Sequence, residues 1–252
     1  MSRYVLSKWK KTLALLKDNH LRSIIPTTVK FNEKSLDTML KKHAMLYVKP
    51  EIGSFGIGVI RIEKHRKHFQ YQSKEKIYKF KTFKLMYEAL RKTIGKRSYL
   101  IQTGIELLKH QKHAFDLRVM VQINPKQQWE ATGIIGRVAA PNKIVTNYHS
   151  GGTPKALEPL LGPYLSKDDL RKKTAQLNQI GVRTGQAMQR KFTGVCELGV
   201  DIGLDEARRP WIFEVNTSPD RYIFKKHPNK AIFRKIMSYA KTYEASMKKK
   251  KK

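Results

Sequence analysis

Acids are what this 252-residue chain lacks most: 20 aspartates and glutamates face 52 lysines and arginines, leaving a formal net charge of +32. Such an excess gives solubility and non-specific affinity for polyanions without identifying a function. A single cysteine, Cys196, excludes an internal disulfide framework and suits a reducing compartment. Its thiol is either inert core packing or a reactive group. No run approaches the roughly 18 apolar residues of a membrane span, and "MSRYVLSKWKK" lacks the apolar core of a secretory signal. A protein that is cytoplasmic at synthesis is expected. Zinc-finger spacing, an aromatic RNA-binding signature, internal repeats and Gly/Ser- or Pro-rich linkers are also missing, so specific nucleic-acid binding is not expected. What is there, 40% hydrophobic residues over this length, suffices for one sizeable domain or two small ones sharing a core.

Periodicity divides the chain. "SKWKKTLALLKDN" carries Trp9, Leu13 and Leu16 at helical spacing, Pro26 breaks it, and "SLDTMLKKH" predicts a short helix capped by Ser35. Four β-rich runs follow, "MLYVKP", "GVIRIEK", "HFQYQ" and "IYKFK", which predict an antiparallel sheet. A helix over about 82–93 leads into the strand "SYLIQTGI", a connection between two lobes. "FDLRVMVQIN" and "WEATGIIGRVAA" read as a strand pair turned at Asn124 and Pro125. Leu117, Val119 and Val121 take one face of the first strand, and Asp116 and Arg118 the other. The longest helical pattern starts at Ser166 with Asp169 in a capping-box-like arrangement, carries Leu170, Leu177, Ile180 and Met188, and ends by Gly194. "GVCELGVDIGLD" and "PWIFEVN" predict a final hairpin. The fold class expected is α+β, two lobes each with a sheet and helices on one side: 1–105 for the first lobe with the N-terminal helices, 106–243 for the second, and 244–252 as a basic tail. The run Lys248 to Lys252 reads as a solvated tail, or less simply as a point of surface attachment.

Three constellations carry chemistry. Glu214 and Asn216, two apart on a strand, point the same way about 7 Å apart, and Asp201 on the preceding strand can face them. Two carboxylates and an amide oxygen form a hard-oxygen set of the kind Mg²⁺ takes. The plain alternative is a strand end whose acids pair with lysines, although this acid-poor chain crowds Glu197, Asp201, Asp205, Glu206 and Glu214 together. Lys49 precedes Gly53, Ser54, Gly56 and Gly58 between two strands, where glycines let backbone N–H groups approach phosphate. No helix follows, so neither P-loop nor dinucleotide-fold mechanics apply, and a ligand-free hairpin turn is the alternative. Arg118 and Arg137 on strands can stabilise charge on a transferred phosphoryl group or a tetrahedral carbon, or Arg118 can simply pair with Asp116 at the surface. "TNYHSGG", residues 146–152, is a loop suited to substrate or phosphate contacts, or an ordinary turn.

"VKPEIGSFGIGV", "FDLRVMVQ", "GRVAAPNKIVTNYHSGG" and "GVDIGLDEARRPWIFEVNTSPD", in that order, resemble the ATP-grasp superfamily, and within it the YheC/YheD family of endospore coat-associated proteins. The resemblance spans about Lys8 to Pro219. It implies ATP gripped between two α+β lobes and ATP-dependent carboxylate–amine ligation through an acyl phosphate, with a non-catalytic coat component as the alternative. By the same resemblance, Asp201, Glu214 and Asn216 match the Mg²⁺ ligands, and Lys8 and Lys49 the nucleotide lysines. Gly53, Ser54, Gly56 and Gly58 match a mobile lid, and Gln102, Gly104 and Ile105 the hinge that holds adenine through its backbone. Arg118, Arg137 and Asn147 match positions facing the transferred phosphoryl group or the acyl substrate. Where relatives such as D-alanine:D-alanine ligase carry an arginine two residues before the first metal-binding aspartate, this chain has Gly199, so the oxyanion role falls to Arg118 or Arg137 or is absent. An amino-terminal substrate domain is not expected. The carboxylate and the amine acceptor are unidentified, the basic surface suits an acidic one, and spore-coat proteins are the expected partners.

Overall fold

In the computed structural model, which describes residues 3–249, α1 (Lys8–Leu15) begins where Ser7 Oγ accepts the Lys10 N–H. The next helix, α2 (Asn19–Arg22), begins at Asp18, whose carboxylate accepts from the His20 and Leu21 N–H groups. Strand β1 (Thr28–Lys30) leads to α3 (Glu33–Lys42). The cap of α3 is Asn32 rather than the expected Ser35: Asn32 Oδ1 accepts the Ser35 N–H at 2.8 Å. An amide three residues ahead satisfies one of the free N–H groups of the first turn, and Ser35 supplies that donor from inside the helix.

Strands β2 (Met45–Pro50), β3 (Ile60–Lys64), β4 (Phe69–Ser73) and β5 (Lys76–Phe80) precede α4 (Phe83–Ile94), capped by Thr82, and β6 (Tyr99–Thr103). They join β1 in one antiparallel sheet of order β1-β6-β2-β3-β4-β5. Alternation does the sorting. Leu46, Val48, Ile60, Ile62 and Ile101 bury against Leu36 and Met39 of α3 and Met86 and Leu90 of α4. Tyr47, Lys49 and Gln102 are left on the opposite face.

The second lobe contains β7 (Lys109–His110), β8 (His113–Ile123), β9 (Trp129–Val138), β10 (Thr153–Lys155), α5 (Leu157–Leu161), α6 (Lys167–Lys191), β11 (Glu197–Leu204), β12 (Pro210–Asn216) and α7 (Lys230–Lys249). Its sheet runs β10-β9-β8-β11-β12, with β7 paired to β8. As expected, Leu117, Val119 and Val121 line one face; with Leu198, Val200 and Ile202 they meet Leu177 and Met188 of α6. Helices are not confined to that side. Ile236 of α7, with Ile223 and Phe224, covers the Met120 and Ile135 end of the other face, leaving the Asp116 and Arg118 end open toward the first lobe. Cys196 is buried, and burial pushes its thiol up to about 11, so it is core packing.

Two expectations shift. Helices α1 and α2, grouped by chain order with the first lobe, pack into the second: Ala14, Leu15, Leu21 and Ile25 belong to the core of Phe115 and Leu198. The basic tail assigned to 244–252 is helical as far as Lys249, and Lys250 to Lys252 lie outside the described residues.

Asp18 ties α2 to α6, accepting from Arg183 Nε at 2.7 Å and Arg190 Nη2 at 3.1 Å. Burial alone would raise its carboxyl, but Arg183, the Leu21 N–H and Arg190 outweigh it and hold the group at about 2. Asp18→Ala is expected to cost about 1–2 kcal/mol, a lost cap plus partly exposed ion pairs, and to lower the melting temperature by about 3–6 °C at neutral pH. Because the folded pKa is depressed, the difference is full above about pH 4 and disappears as pH falls toward 2. Thermal melts of both proteins across that range test it.

Candidate functional site

The open face of the second sheet carries a row of charges set by register. Asp116 lies opposite Arg137, Arg118 opposite Asp201, and Asp201 opposite Glu214, so all five side chains share one face. Arg118 does not pair with Asp116. Its Nε and Nη2 donate to Asp201 Oδ1 and Oδ2 at 2.5 and 3.0 Å, while Arg137 Nε and Nη2 donate to Asp116 at 2.9 and 2.5 Å. Arg137 Nη2 also lies 3.0 Å from Asp201 Oδ1. All four groups are buried. Burial alone would raise the Asp201 carboxyl, but the two guanidiniums overcome it and hold it at about 2. Burial by itself would likewise lower the Arg137 pKa; Asp116 and Asp201 raise it. Arg118 reaches Asp201 by crossing Gly199, where a Cβ would lie 2.9 Å from Arg118 Cδ and 3.0 Å from its Nε. The space above residue 199 is thus filled by the Arg118 side chain.

Simple alternation would put Ile212 beside Glu214 and Asn216. A bulge between Asp201 and Ile202 prevents this: Asp201 faces Glu214 but Ile202 faces Ile212, so Phe213 is the extra residue. Ile212 thereby drops into the core, and Phe213 and Glu214 both line the cleft.

Across the cleft stands the first sheet. Lys49 Nζ donates to Gln102 Oε1 at 2.5 Å, and Gln102 Nε2 reaches Thr28 Oγ1 at 3.1 Å and the Phe213 carbonyl at 3.4 Å. Burial lowers the Lys49 ammonium to about 8, with Glu214 and Asp201 acting to raise it and Lys8 to lower it. Lys8, at the start of α1, donates to the Gly53 carbonyl at 2.5 Å and pairs with Glu214 Oε1 at 3.0 Å. The glycine loop crosses over to the second lobe. Gly56 (φ 74°) and Gly58 (φ 78°) take left-handed conformations that favour glycine; a Cβ on Gly56 would lie 2.9 Å from Asn147 Oδ1. Ser150 Oγ donates to the Phe55 carbonyl at 2.7 Å, and the Phe55 and His149 rings meet at 4.5 Å. Ser54 lies exposed near the tip. The loop is closed down on Asn147 to Ser150.

Between the sheets lies a cleft of about 730 Å³, counted out to its open mouth. Lys49, Gly56, Ile105, Arg137, Asn147, Asp201 and Glu214 all border it, and Tyr47, Val59, Leu107 and Phe213 give it an apolar end. Gln102 also borders it, but as a side-chain support for Lys49. Gly104 uses its N–H on the Met45 carbonyl at 2.9 Å, and a Cβ there would strike the Met45 side chain; of the expected hinge residues, Ile105 lines the cleft. A larger opening of about 1180 Å³ continues from Arg118, Arg137 and Asn147 past Asn216 and Tyr222.

Asp201, Glu214 and Asn216 supply oxygens of the kind Mg²⁺ takes. Asp201 accepts two N–H groups on Oδ1 and one on Oδ2, leaving a lone pair on Oδ2; Glu214 Oε1 meets Lys8, and Asn216 Oδ1 accepts the Ser218 N–H at 2.9 Å. By donor chemistry these oxygens suit a hard divalent cation; Asp201 and Glu214 border the cleft, while Asn216 borders the wider opening beside it. Among the described residues no three His, Cys, Asp or Glu side chains form a metal cluster.

Sequence reasoning missed Phe213, Tyr47 and Lys11. Lys11, Ala14 and Leu15, rather than Trp9, Leu13 and Leu16, form the buried face of α1. A lysine within a helical stripe reads as surface, yet Lys11 is only 6% exposed. Burial, then Lys8, lower its ammonium to about 8, with Glu214 and Asp201 acting the other way.

Residues 1–246 match the model of the YheC/D-like ATP-grasp family. The endospore coat-associated protein YheD of Bacillus subtilis (strain 168) is 25% identical over 230 residues, 88% of this chain and 50% of that protein. The chain therefore spans about half the length of this curated relative. Among solved structures, the D-alanine-D-alanine ligase from Coxiella burnetii superposes with a TM-score of 0.54 at 12% identity, over 97% of this chain and 59% of that one. N5-carboxyaminoimidazole synthetase from Staphylococcus aureus, solved with ADP, gives 0.55 at 8% identity over 94% and 51%. At these identities the structures share the fold alone.

Proposed function

Because the chain belongs to the YheC/D-like ATP-grasp family, we propose that it binds Mg²⁺-ATP between its two sheets and acts as an ATP-dependent carboxylate–amine ligase. The observation that carries this reading is the opposition, across one cleft, of Lys49 and the closed glycine loop to Asp201, Glu214 and Arg137, with Lys8 joining Glu214 to the Gly53 carbonyl at its edge. The adenine would lie at the apolar end, among Tyr47, Val59, Ile105, Leu107 and Phe213. Lys8 and Lys49 would meet the phosphates under the N–H groups of Gly53, Ser54, Gly56 and Gly58, with Asn147 closing the lid. Asp201, Glu214 and Asn216 would hold Mg²⁺, which when bound neutralises charge on the β- and γ-phosphates. Arg118 and Arg137, held in place by their aspartates, would orient the acyl carboxylate and stabilise charge as it develops. A carboxylate oxygen attacks the γ-phosphorus, breaking its bond to the bridging oxygen and releasing ADP. An amine then attacks the acyl carbon of the resulting acyl phosphate; the C–N bond forms, the C–O bond to phosphate breaks, and the amine loses a proton as phosphate leaves.

The excess of positive charge favours an anionic substrate, and the coat-associated relative makes the spore coat the site of action we propose. One observation favours a non-catalytic coat component instead: Asp201 is already satisfied by two arginines, as in a structural ion cluster. Calorimetric titration with a non-hydrolysable ATP analogue, with and without Mg²⁺, tests the nucleotide site; Mg²⁺ is expected to tighten binding by about tenfold or more, roughly 1.4 kcal/mol. No binding would overturn the reading. Binding without ADP release from ATP in the presence of any carboxylate and amine, anionic peptides included, would leave the coat component.

A further inference from the structure

Lys8 and Lys49 each have a partner in the protein; Lys11 does not. It stands one residue short of a full turn after Lys8, on the same side of α1. Its stem is buried, no described residue forms an ion pair or hydrogen bond with its ammonium, which keeps a small contact with solvent, and Glu214 and Asp201 act on it only at longer range. A largely desolvated cation without a counter-ion carries a cost that packing alone does not repay. Groups of this kind concentrate at functional sites, where a ligand can supply the missing charge.

Lys11 borders a narrow recess together with Lys8, Gln102, Phe213 and Glu214, about 320 Å³ with the open solvent at its mouth counted but with only about 20 Å³ wide enough for water. The last three also wall the nucleotide cleft, so the recess is a side chamber of it, separated by the contact between Gln102 Nε2 and the Phe213 carbonyl. The rest of its wall is Thr12, Leu15, Ile25, Ile212 and Val215, which packs the lysine stem but offers no carboxylate.

We propose that Lys11 is an anion-binding residue of this site, whose ammonium becomes the counter-ion of a phosphate group of the bound nucleotide, alongside Lys8. The inference rests on the nucleotide reading above and adds to it a cation that neither the motifs nor the resemblance marks. A purely structural lysine would act through its stem, and methionine keeps the stem's shape without the charge. The two roles therefore predict opposite stability effects.

The test is Lys11→Met, measured beside the wild type for affinity toward the non-hydrolysable ATP analogue with Mg²⁺ and for melting temperature without nucleotide. Affinity is expected to fall by about tenfold or more, while the ligand-free melting temperature stays the same or rises. Unchanged affinity overturns the inference and leaves the nucleotide reading standing. A ligand-free melting temperature lowered by several degrees assigns Lys11 a structural role and also overturns it. A wild type that binds no nucleotide overturns the parent reading and this inference together.

Discussion

Glu214→Gln is expected to weaken binding of the Mg²⁺-bound ATP analogue by about tenfold or more, roughly 1.4 kcal/mol, with little change in stability. The side chain is about 30% exposed and its ion pair is with Lys8, which keeps its bond to the Gly53 carbonyl when the charge is removed. Partly exposed pairs of this kind contribute about 0–1 kcal/mol, so the ligand-free melting temperature should move by no more than about 4 °C. Binding responds differently, because a hard divalent cation depends on the number of charged oxygens offered to it. Glutamine keeps the shape and loses one of the two carboxylates. Titration of the variant with and without Mg²⁺ reads the effect directly: the Mg²⁺ enhancement should vanish along with the affinity. A variant that still responds to Mg²⁺ as the wild type does would remove Glu214 from the proposed cation site.

Asp201→Asn should add to the loss of binding a loss of stability that Glu214→Gln does not show. Asp201 is the shared acceptor of two buried guanidiniums, and Arg118 has lain down over Gly199 to reach it. Neutralising one member of a buried ion cluster leaves cations without compensation, at a cost of about 3–5 kcal/mol. For a domain of this size that is a fall in melting temperature of about 6–20 °C. Arg137 keeps Asp116, so the stranded group is Arg118. The pH dependence follows from the depressed carboxyl at about 2: its contribution is whole above about pH 4 and is lost as pH falls toward 2. Wild type and variant should differ most at neutral pH and converge in acid. Equal melting temperatures at pH 7 would mean that the cluster is no support of the fold.

The two substitutions separate roles that sequence spacing alone assigns to one group of ligands. Asp201, Glu214 and Asn216 look equivalent as oxygen donors, but one is a buried hub and one a half-open pair. Mutating either is expected to remove the proposed cation site; only Asp201 would also loosen the sheet.

Much of the fold can be read locally. Ser7, Thr82 and Ser166 mark helix starts because a side-chain oxygen satisfies donors two or three residues away. Alternating runs such as Leu117, Val119 and Val121 mark strands because successive side chains point to opposite faces. The same proximity explains why the glycine loop after Lys49 and the pair Glu214 and Asn216 stand out: their meaning lies in spacings of two to nine residues. Long-range pairing obeys no such rule. Arg118 bonds Asp201 and not its neighbour Asp116 because strand β11 lies beside β8; Phe213 enters the cleft because a bulge slips the hairpin by one residue; Lys11 is buried because α1 packs against the second lobe instead of the first. Caps and periodicity act within a few residues of chain, whereas register, burial and the partners of each charge depend on which distant surfaces meet, and that is settled only when the two sheets and their helices pack.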